Sequence, residues 1–170
     1  MLFQPRRTGH RLRIAFAPSH DDIPTDRGLI FLAALEAVVI GDASRFHDLF
    51  TDDLAFSSPH LVAESLEAVQ HAVGSPEDSL SEVQIVLLAL DAVGDKVIAE
   101  WRLEAMFTRP VLFDDRLLIE PTGGAVHLAG ASVAEFRGSR IRAFRHYFDD
   151  SELMTRVPGA PRHLRWRLDG

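Results

Sequence analysis

The second half of the chain is a succession of strand-like segments joined by short glycine turns. Four segments rich in β-branched and aromatic residues follow one another: Glu82–Leu90, Val97–Phe107, Val126–Phe136 and Ile141–Phe148. The dipeptide Gly94-Asp95 separates the first two segments, and Gly138-Ser139 separates the last two. Tight connections of this kind pair neighbouring strands in opposite directions. The sequence therefore predicts a largely antiparallel sheet.

Helical segments lie ahead of these strands. A helix is predicted from Thr25 or Asp26, which can cap its first turn, to just before Gly41. A second short helix is expected around Phe46, Leu49 and Phe50. The remaining predictions are strands at 12–16 and 54–57, helices at 61–73 and 152–157, and a loop from 108 to 121. Because the helices and the strands occupy separate stretches, the fold class is α+β rather than alternating α/β.

Composition excludes several kinds of protein. The 170 residues suit one domain, and the absence of cysteine excludes disulfides and thiolate chemistry. The net charge is −7, with +2 in residues 1–24, +3 in residues 156–170 and the remaining −12 in between. An acidic body argues against nucleic acid as a partner, since phosphate binding needs a clustered basic face.

We divide the chain into a basic N-terminal extension (1–25), an α+β domain (26–157) and a basic C-terminal tail (158–170). No apolar run reaches the roughly 20 residues that cross a bilayer, and the early arginines are not followed by a signal-peptide apolar segment. We expect no membrane association and a cytoplasmic location.

The order of these segments resembles the nuclear-transport-factor-2-like superfamily, and within it the SnoaL-like polyketide cyclase and ketosteroid isomerase-like group. The resemblance covers roughly residues 26–157. Four stretches carry it: the helix-to-strand region Phe31 to Pro59, the strand Asp95 to Phe107 with its "AEW" core, Pro121-Thr122-Gly123, and the closing "IRAFRHYFDDSEL" of Arg140 to Leu153.

The resemblance implies a cone-shaped, strongly curved antiparallel sheet, a cystatin-like α+β roll whose N-terminal helices close a pocket. It also implies a homodimer formed through the outer face of the sheet. Members of the superfamily include isomerases, cyclases and hydrolases that need no cofactor, together with proteins that only bind small molecules or other proteins. Fold alone does not choose among these functions. We therefore keep open a cofactor-independent enzyme acting on a mostly apolar small molecule, a non-catalytic ligand-binding domain, and a dimerisation scaffold.

His146 is the first candidate for chemistry. Strand alternation places it on one face of the last strand with Arg142, Phe144 and Phe148, and that face is expected to line the pocket. Limonene-epoxide-hydrolase-like proteins place a catalytic aspartate near this position, so the histidine puts their mechanism in doubt here. An imidazole can still move protons, because its ordinary pKa lies near 6.5. A hydrogen-bonded structural histidine is the alternative.

Arg102 and Glu104 form a second candidate pair, resembling the Arg-x-Asp pair of the same hydrolases. Their spacing aims both side chains to one side of a strand. If that face is enclosed, the arginine must meet a carboxylate, since a buried unpaired charge is costly. We expect the pair to point inward, beside His146. The opposite arrangement, with Trp101 and Leu103 inside, would leave the pair on the outer face.

Asp149 is a further catalytic candidate, because SnoaL-like cyclases use an aspartate on the last strand as general acid/base. Its alternative role is to cap the helix expected after it. Tyr147 could donate a hydrogen bond to a ligand, although alternation turns it away from His146 and favours a dimer contact. The candidate ligand-binding residues are Phe144, Met106, Phe148, Trp101 and Tyr147. The spacing of the histidines matches no metal-binding motif, so no metal site is predicted.

Overall fold

A computed structural model of the chain describes residues 13–16, 25–59, 61–73, 80–108, 111–113, 117–119 and 123–149. The described helices are α1 (Asp26–Val39), a 3-10 turn at Ala43–Arg45, α2 (Phe46–Leu49) and α3 (Leu66–Val73). The described strands are β1 (Arg13–Phe16), β2 (Phe50–Ser57), β3 (Val62–Ala63), β4 (Leu80–Val93), β5 (Lys96–Phe107), β6 (Val111–Phe113), β7 (Leu117–Ile119), β8 (Ala125–Arg137) and β9 (Arg140–Phe148). The predicted helix 152–157 lies outside the described residues.

Seven of these strands form one curved, open sheet in the order β1-β4-β5-β8-β9-β2-β3. The four long strands pair antiparallel: β4 with β5 and β8 with β9 across short turns, as predicted, and β5 with β8 across the longer connection that contains β6 and β7. By contrast, β1 joins β4 and β2 joins β9 in parallel. Helices precede the long strands, and the α+β prediction is confirmed.

Alternation along β5 divides the sheet into two faces. Every second side chain, from Val97 through Trp101 to Phe107, is buried, while those between range from half-buried to exposed. We call the buried side the inner face and the other side the outer face. Cross-strand partners share a face, so the pairing register extends this division to β4, β8 and β9.

Helix α1 covers the inner face. Its first turn is capped by the Thr25 hydroxyl, which accepts a hydrogen bond from the Gly28 backbone N–H over 3.2 Å. Gly41 follows the helix with φ +68°, a left-handed conformation that glycine adopts readily, and it ends the helix as predicted. A side chain at this position would also meet the Val73 carbonyl oxygen, since a Cβ built on Gly41 lies 2.9 Å from it.

Phe144 of β9 is at the centre of the core. Its ring lies 5.6 Å from that of Phe31 on α1 and 5.7 Å from that of Phe50 on β2, centroid to centroid. Phe56 completes the group at 6.3 Å. Phe31, Phe50 and Phe144 have no exposed surface. These contacts join the first helix to the last described strand.

Three predicted elements differ from the structure. Phe50, expected with the second short helix, begins β2, which therefore starts before the predicted strand at 54–57. The helix expected at 61–73 begins only at Leu66, because Ser65 caps it and residues Val62–Ala63 pair with β2 instead. The loop expected at 108–121 contains the hairpin of β6 and β7.

We expect Phe144→Ala to lower the free energy of unfolding by about 3–5 kcal/mol, because a fully buried aromatic ring is replaced by a cavity. Leu29→Ala is the control, since Leu29 on α1 is 55% exposed. That control should change stability by no more than about 0.5 kcal/mol. Urea denaturation of both variants measures the difference, and equal effects would contradict the central position of Phe144.

Candidate functional site

His146 lies on the inner face of β9 and is 6% exposed. Its ring packs between two phenylalanines, with centroid distances of 4.3 Å to Phe144 and 5.3 Å to Phe56. Phe148 shares this face and packs against the core, with its ring 6.1 Å from that of Trp101. The structure thus brings four of the predicted site residues, Trp101, Phe144, His146 and Phe148, to one aromatic region.

A hydrogen-bonded chain links His146 to two neighbouring strands. The Trp101 indole N–H donates to the Ser132 hydroxyl oxygen over 2.8 Å, and the same oxygen lies 2.7 Å from His146 Nδ1. Ser132 stands opposite His146 in the β8–β9 register and has no exposed surface. The three residues therefore connect β5, β8 and β9. The sequence analysis did not single out Ser132, because a lone serine in a strand carries no signal of its own.

Gly130 leaves the space that the Trp101 indole occupies. It stands opposite Trp101 in the β5–β8 register, and a Cβ built on it would lie 2.6 Å from the indole ring. Any larger residue at position 130 would therefore displace the ring, and with it the donor that reaches Ser132.

The second ring nitrogen of His146 has no hydrogen-bond partner. Within the part of the chain that the structure describes, Nε2 is the buried side-chain polar atom left unpaired. Leaving a buried polar group unpaired costs about 1–3 kcal/mol. Burial also lowers the pKa of His146 from 6.5 to about 4, because the apolar surroundings disfavour the charged imidazolium. His146 is therefore neutral at pH 7.

Arg102 and Glu104 lie on the outer face, so the prediction that they point inward is wrong. They alternate with the buried Trp101 and Leu103, and the Arg102 Nε is 3.0 Å from a Glu104 carboxylate oxygen. Both side chains are at least 39% exposed. Paired charges on this face avoid the cost of burial. The sheet separates them from His146, and a catalytic role beside it has no geometric support.

Arg142 also lies on the outer face, contrary to the alternation prediction. A register shift places Ala143 opposite Glu135 and Ile141 opposite Phe136, so no residue of β8 stands opposite Arg142 in the register. Its guanidinium contacts the Glu135 carboxylate at 2.9 Å, and Arg145 contacts the other oxygen at 2.8 Å. The hydrogen bond from Arg145 is the largest influence that lowers the pKa of Glu135.

The other candidates do not face His146 from the inner side. Met106 alternates to the outer face of β5, and Tyr147 is 55% exposed beside His146 on the opposite face of β9. Asp149 is exposed directly after β9. The helix that it would cap lies outside the described residues, so its capping and catalytic roles stay predictions.

Among the described residues, no group of three or more histidine, aspartate or glutamate side chains is arranged to hold a metal ion. The described helices include none that is both long and apolar enough to cross a membrane.

Residues 31–144 match the family model of the SnoaL-like domain. The chain belongs to the SnoaL-like domain family. No curated protein matches its sequence significantly. The resemblance to the SnoaL-like group, which rested on short motifs and their order, is confirmed.

Solved structures share this fold at low sequence identity. A protein described as a SnoaL-like polyketide cyclase from Jannaschia sp. CCS1 superposes with a TM-score of 0.66 at 15% identity, covering 85% of this chain and all of its own. A protein described as a polyketide cyclase from Acidithiobacillus ferrooxidans gives 0.64 at 15% identity, covering 82% of this chain and 99% of its own. An LEH-like epoxide hydrolase from M. tuberculosis gives 0.58 at 16% identity, covering 78% and 89%.

Acidic pH should destabilise the protein through His146. The unfolded chain takes up a proton at this side chain below pH 6.5, whereas the folded protein takes it up only near pH 4. Between these values the unfolded state binds more protons, so stability falls as the pH falls. We expect the free energy of unfolding to drop by about 2 kcal/mol between pH 7 and pH 5 through this group alone.

His146→Phe removes the titrating group and keeps a ring in the same aromatic region. The difference in unfolding free energy between the two proteins, measured by urea denaturation at pH 7 and pH 5, isolates the histidine, because the other titrating groups are common to both. An identical difference at the two pH values would contradict a buried neutral imidazole.

Proposed function

We propose that this chain is a small-molecule-binding SnoaL-like domain that receives a mostly apolar ligand beside His146. One observation carries the proposal: an unpartnered ring nitrogen, His146 Nε2, buried among aromatic side chains. Small-molecule sites typically combine an apolar lining with a few fixed polar groups. A ligand that pairs with Nε2 would recover the free energy that the unpaired nitrogen costs the protein.

Binding is better supported than catalysis. General acid/base catalysis works best with a group whose pKa lies near the working pH, and burial lowers the pKa of His146 to about 4. Two titratable side chains are buried among the described residues, His146 and Glu135. Glu135 lies on the outer face, so it does not share the inner face with His146. The cyclase and epoxide hydrolase descriptions of the related structures apply to those proteins, whose identity to this chain supports a shared fold.

The bicyclic alcohol 1-tetralol, whose hydroxyl can either donate to Nε2 or accept from it, tests the binding site. We expect it to shift the indole N–H resonance of Trp101 saturably in a ¹H–¹⁵N NMR titration. This N–H is linked to His146 through the Ser132 hydroxyl, so a ligand at His146 should change its environment. The two tryptophans are Trp101 and Trp166, so the variant Trp166→Phe assigns the signal.

Tyr147→Phe is the control, since Tyr147 is the neighbour of His146 on the opposite face. It should leave the titration unchanged. A Trp101 resonance that does not move, or that moves linearly without saturation, would count against a ligand site in the interior.

We also propose that a second copy of the chain covers the outer face. Ile98 is 42% exposed and Tyr147 55% exposed on this face, and Val133 lies opposite Ile98 in the register. Exposed apolar side chains grouped in this way commonly mark an interaction surface. The charged pair Arg102 and Glu104 lies on the same face and supplies both signs. A twofold arrangement can therefore place positive against negative groups of the two copies.

Tyr147→Glu should convert a dimer into a monomer, because it places a charge within the apolar part of this face. Leu29→Glu is a matched control, since Leu29 is equally exposed on α1 and should leave the dimer intact. Sedimentation equilibrium measures the mass of each protein. A monomeric parent protein, or a Tyr147→Glu variant that stays dimeric, would refute the proposal.

A further inference from the structure

The hydrogen-bonded chain determines which nitrogen of His146 carries the proton. An indole N–H can only donate, so the Ser132 oxygen accepts from Trp101. A serine hydroxyl has a single hydrogen, and His146 Nδ1 lies 2.7 Å away as its acceptor. A neutral imidazole carries one proton, on one nitrogen or the other. With Nδ1 accepting from Ser132, that proton is on Nε2.

The opposite arrangement satisfies the network less well. If Nδ1 carried the proton, the Ser132 oxygen would accept from both Trp101 and His146. The serine hydrogen would then need another acceptor. Among the described residues, the Ser132 hydroxyl pairs with Trp101 and His146, and neither could accept that hydrogen. Since Ser132 is completely buried, water does not reach its hydroxyl from the surface. The hydrogen-bond network therefore favours the Nε2–H form.

We infer that His146 presents a fixed hydrogen-bond donor to the interior, so that the ligand is a neutral, mostly apolar molecule carrying a hydrogen-bond acceptor such as a ketone oxygen. This inference rests on the proposed function, because it names the ligand class of the same site. A ligand with an acceptor gives the buried Nε2–H a hydrogen bond. A ligand that offers only a donor leaves this N–H unpaired, and the free-energy cost of burying it remains.

The surroundings of Nε2 favour a neutral acceptor over a charged one. Phe56 and Phe144 flank the imidazole, and an aromatic environment disfavours an ionised ligand group unless an opposite charge accompanies it. Burial lowers the pKa of His146 to about 4, so the ring supplies no positive charge at pH 7. A carbonyl oxygen accepts the hydrogen bond without bringing a charge into this environment. A carboxylate would bring a negative charge that His146 does not compensate.

Ser132 is a positioning residue in this arrangement, since it acts on the ligand only through the imidazole. Trp101 in turn orients the Ser132 hydroxyl, because its indole N–H donates to the hydroxyl oxygen. The donor is therefore oriented by side chains of β5 and β8, which are paired along their length.

The ketone 1-tetralone and the hydrocarbon tetralin form a matched pair of probes, differing in one carbonyl oxygen. We expect 1-tetralone to bind the parent protein about three- to tenfold more tightly in NMR titrations at pH 7, the worth of one net hydrogen bond. In His146→Phe the two dissociation constants should become equal within about twofold, because the donor is absent. In Tyr147→Phe the preference should persist.

The outcomes separate this inference from the proposed function. Binding of both probes with equal affinity to the parent protein would overturn the acceptor class and leave the binding site standing. A preference for 1-tetralone that survives in His146→Phe would likewise overturn it. If neither probe nor 1-tetralol binds, the proposed function fails, and with it the ligand class that depends on it.

The proton position is tested without any ligand. Long-range ¹H–¹⁵N correlation spectra distinguish the two neutral tautomers, and we expect the Nε2–H pattern for His146 at pH 7. In Ser132→Ala, where Nδ1 loses its donor, the Nδ1–H form should become populated while the spectrum stays that of a folded protein. An Nδ1–H pattern in the parent protein would overturn the inference, as would a tautomer unaffected by Ser132→Ala.

Discussion

The packing of Phe144 against Phe31, Phe50 and Phe56 is the interaction on which the rest of the structure depends. It joins α1 and β2, from the first half of the domain, to β9 at its end. With Phe144 held in the core, the period of two along β9 leaves His146 facing the same interior and Tyr147 facing outward. A slip by one residue would bring Arg145 inside, at the cost of a buried charge, so the register is strongly determined.

His146 is a polar side chain in an otherwise apolar interior, where its burial costs free energy. Most of the inner face is aliphatic or aromatic, and Phe56 and Phe144 could pack equally well against a phenylalanine at position 146. A histidine instead brings one satisfied nitrogen and one unsatisfied nitrogen. Stability alone does not account for such a residue, because an apolar ring of the same size would avoid the penalty. Unpaired buried polar groups are few in native proteins and each needs a specific explanation, which the proposed ligand supplies here.

Much of the fold follows from the sequence because its signals are local. The glycine turns and the period of two along β5, β8 and β9 define the sheet, and the alternation on β9 places Phe144, His146 and Phe148 together. On β5 the same alternation already favoured an outward Arg102, since the positions from Val97 to Phe107 that share the Trp101 face are all apolar. The inward expectation followed the resemblance to epoxide hydrolases rather than this pattern.

Other features depend on contacts between distant residues. The register shift that turns Arg142 outward arises in the pairing of β9 with β8, and no residue type marks it in the sequence. The role of Ser132 exists only because β8 places it between Trp101 on one neighbouring strand and His146 on the other. The start of α3 at Leu66 likewise depends on the pairing of β3 with β2, which competes with the helical pattern of the preceding residues.

The hydrogen-bonded chain gives the interior nitrogen a rigid support. Its members come from three adjacent long strands, and Gly130 makes room for the indole that begins it. A polar group held by a paired sheet keeps its direction more precisely than one on a loop. Because His146 and Tyr147 are consecutive on β9, the same strand carries the proposed ligand donor on one face and the proposed dimer contact on the other.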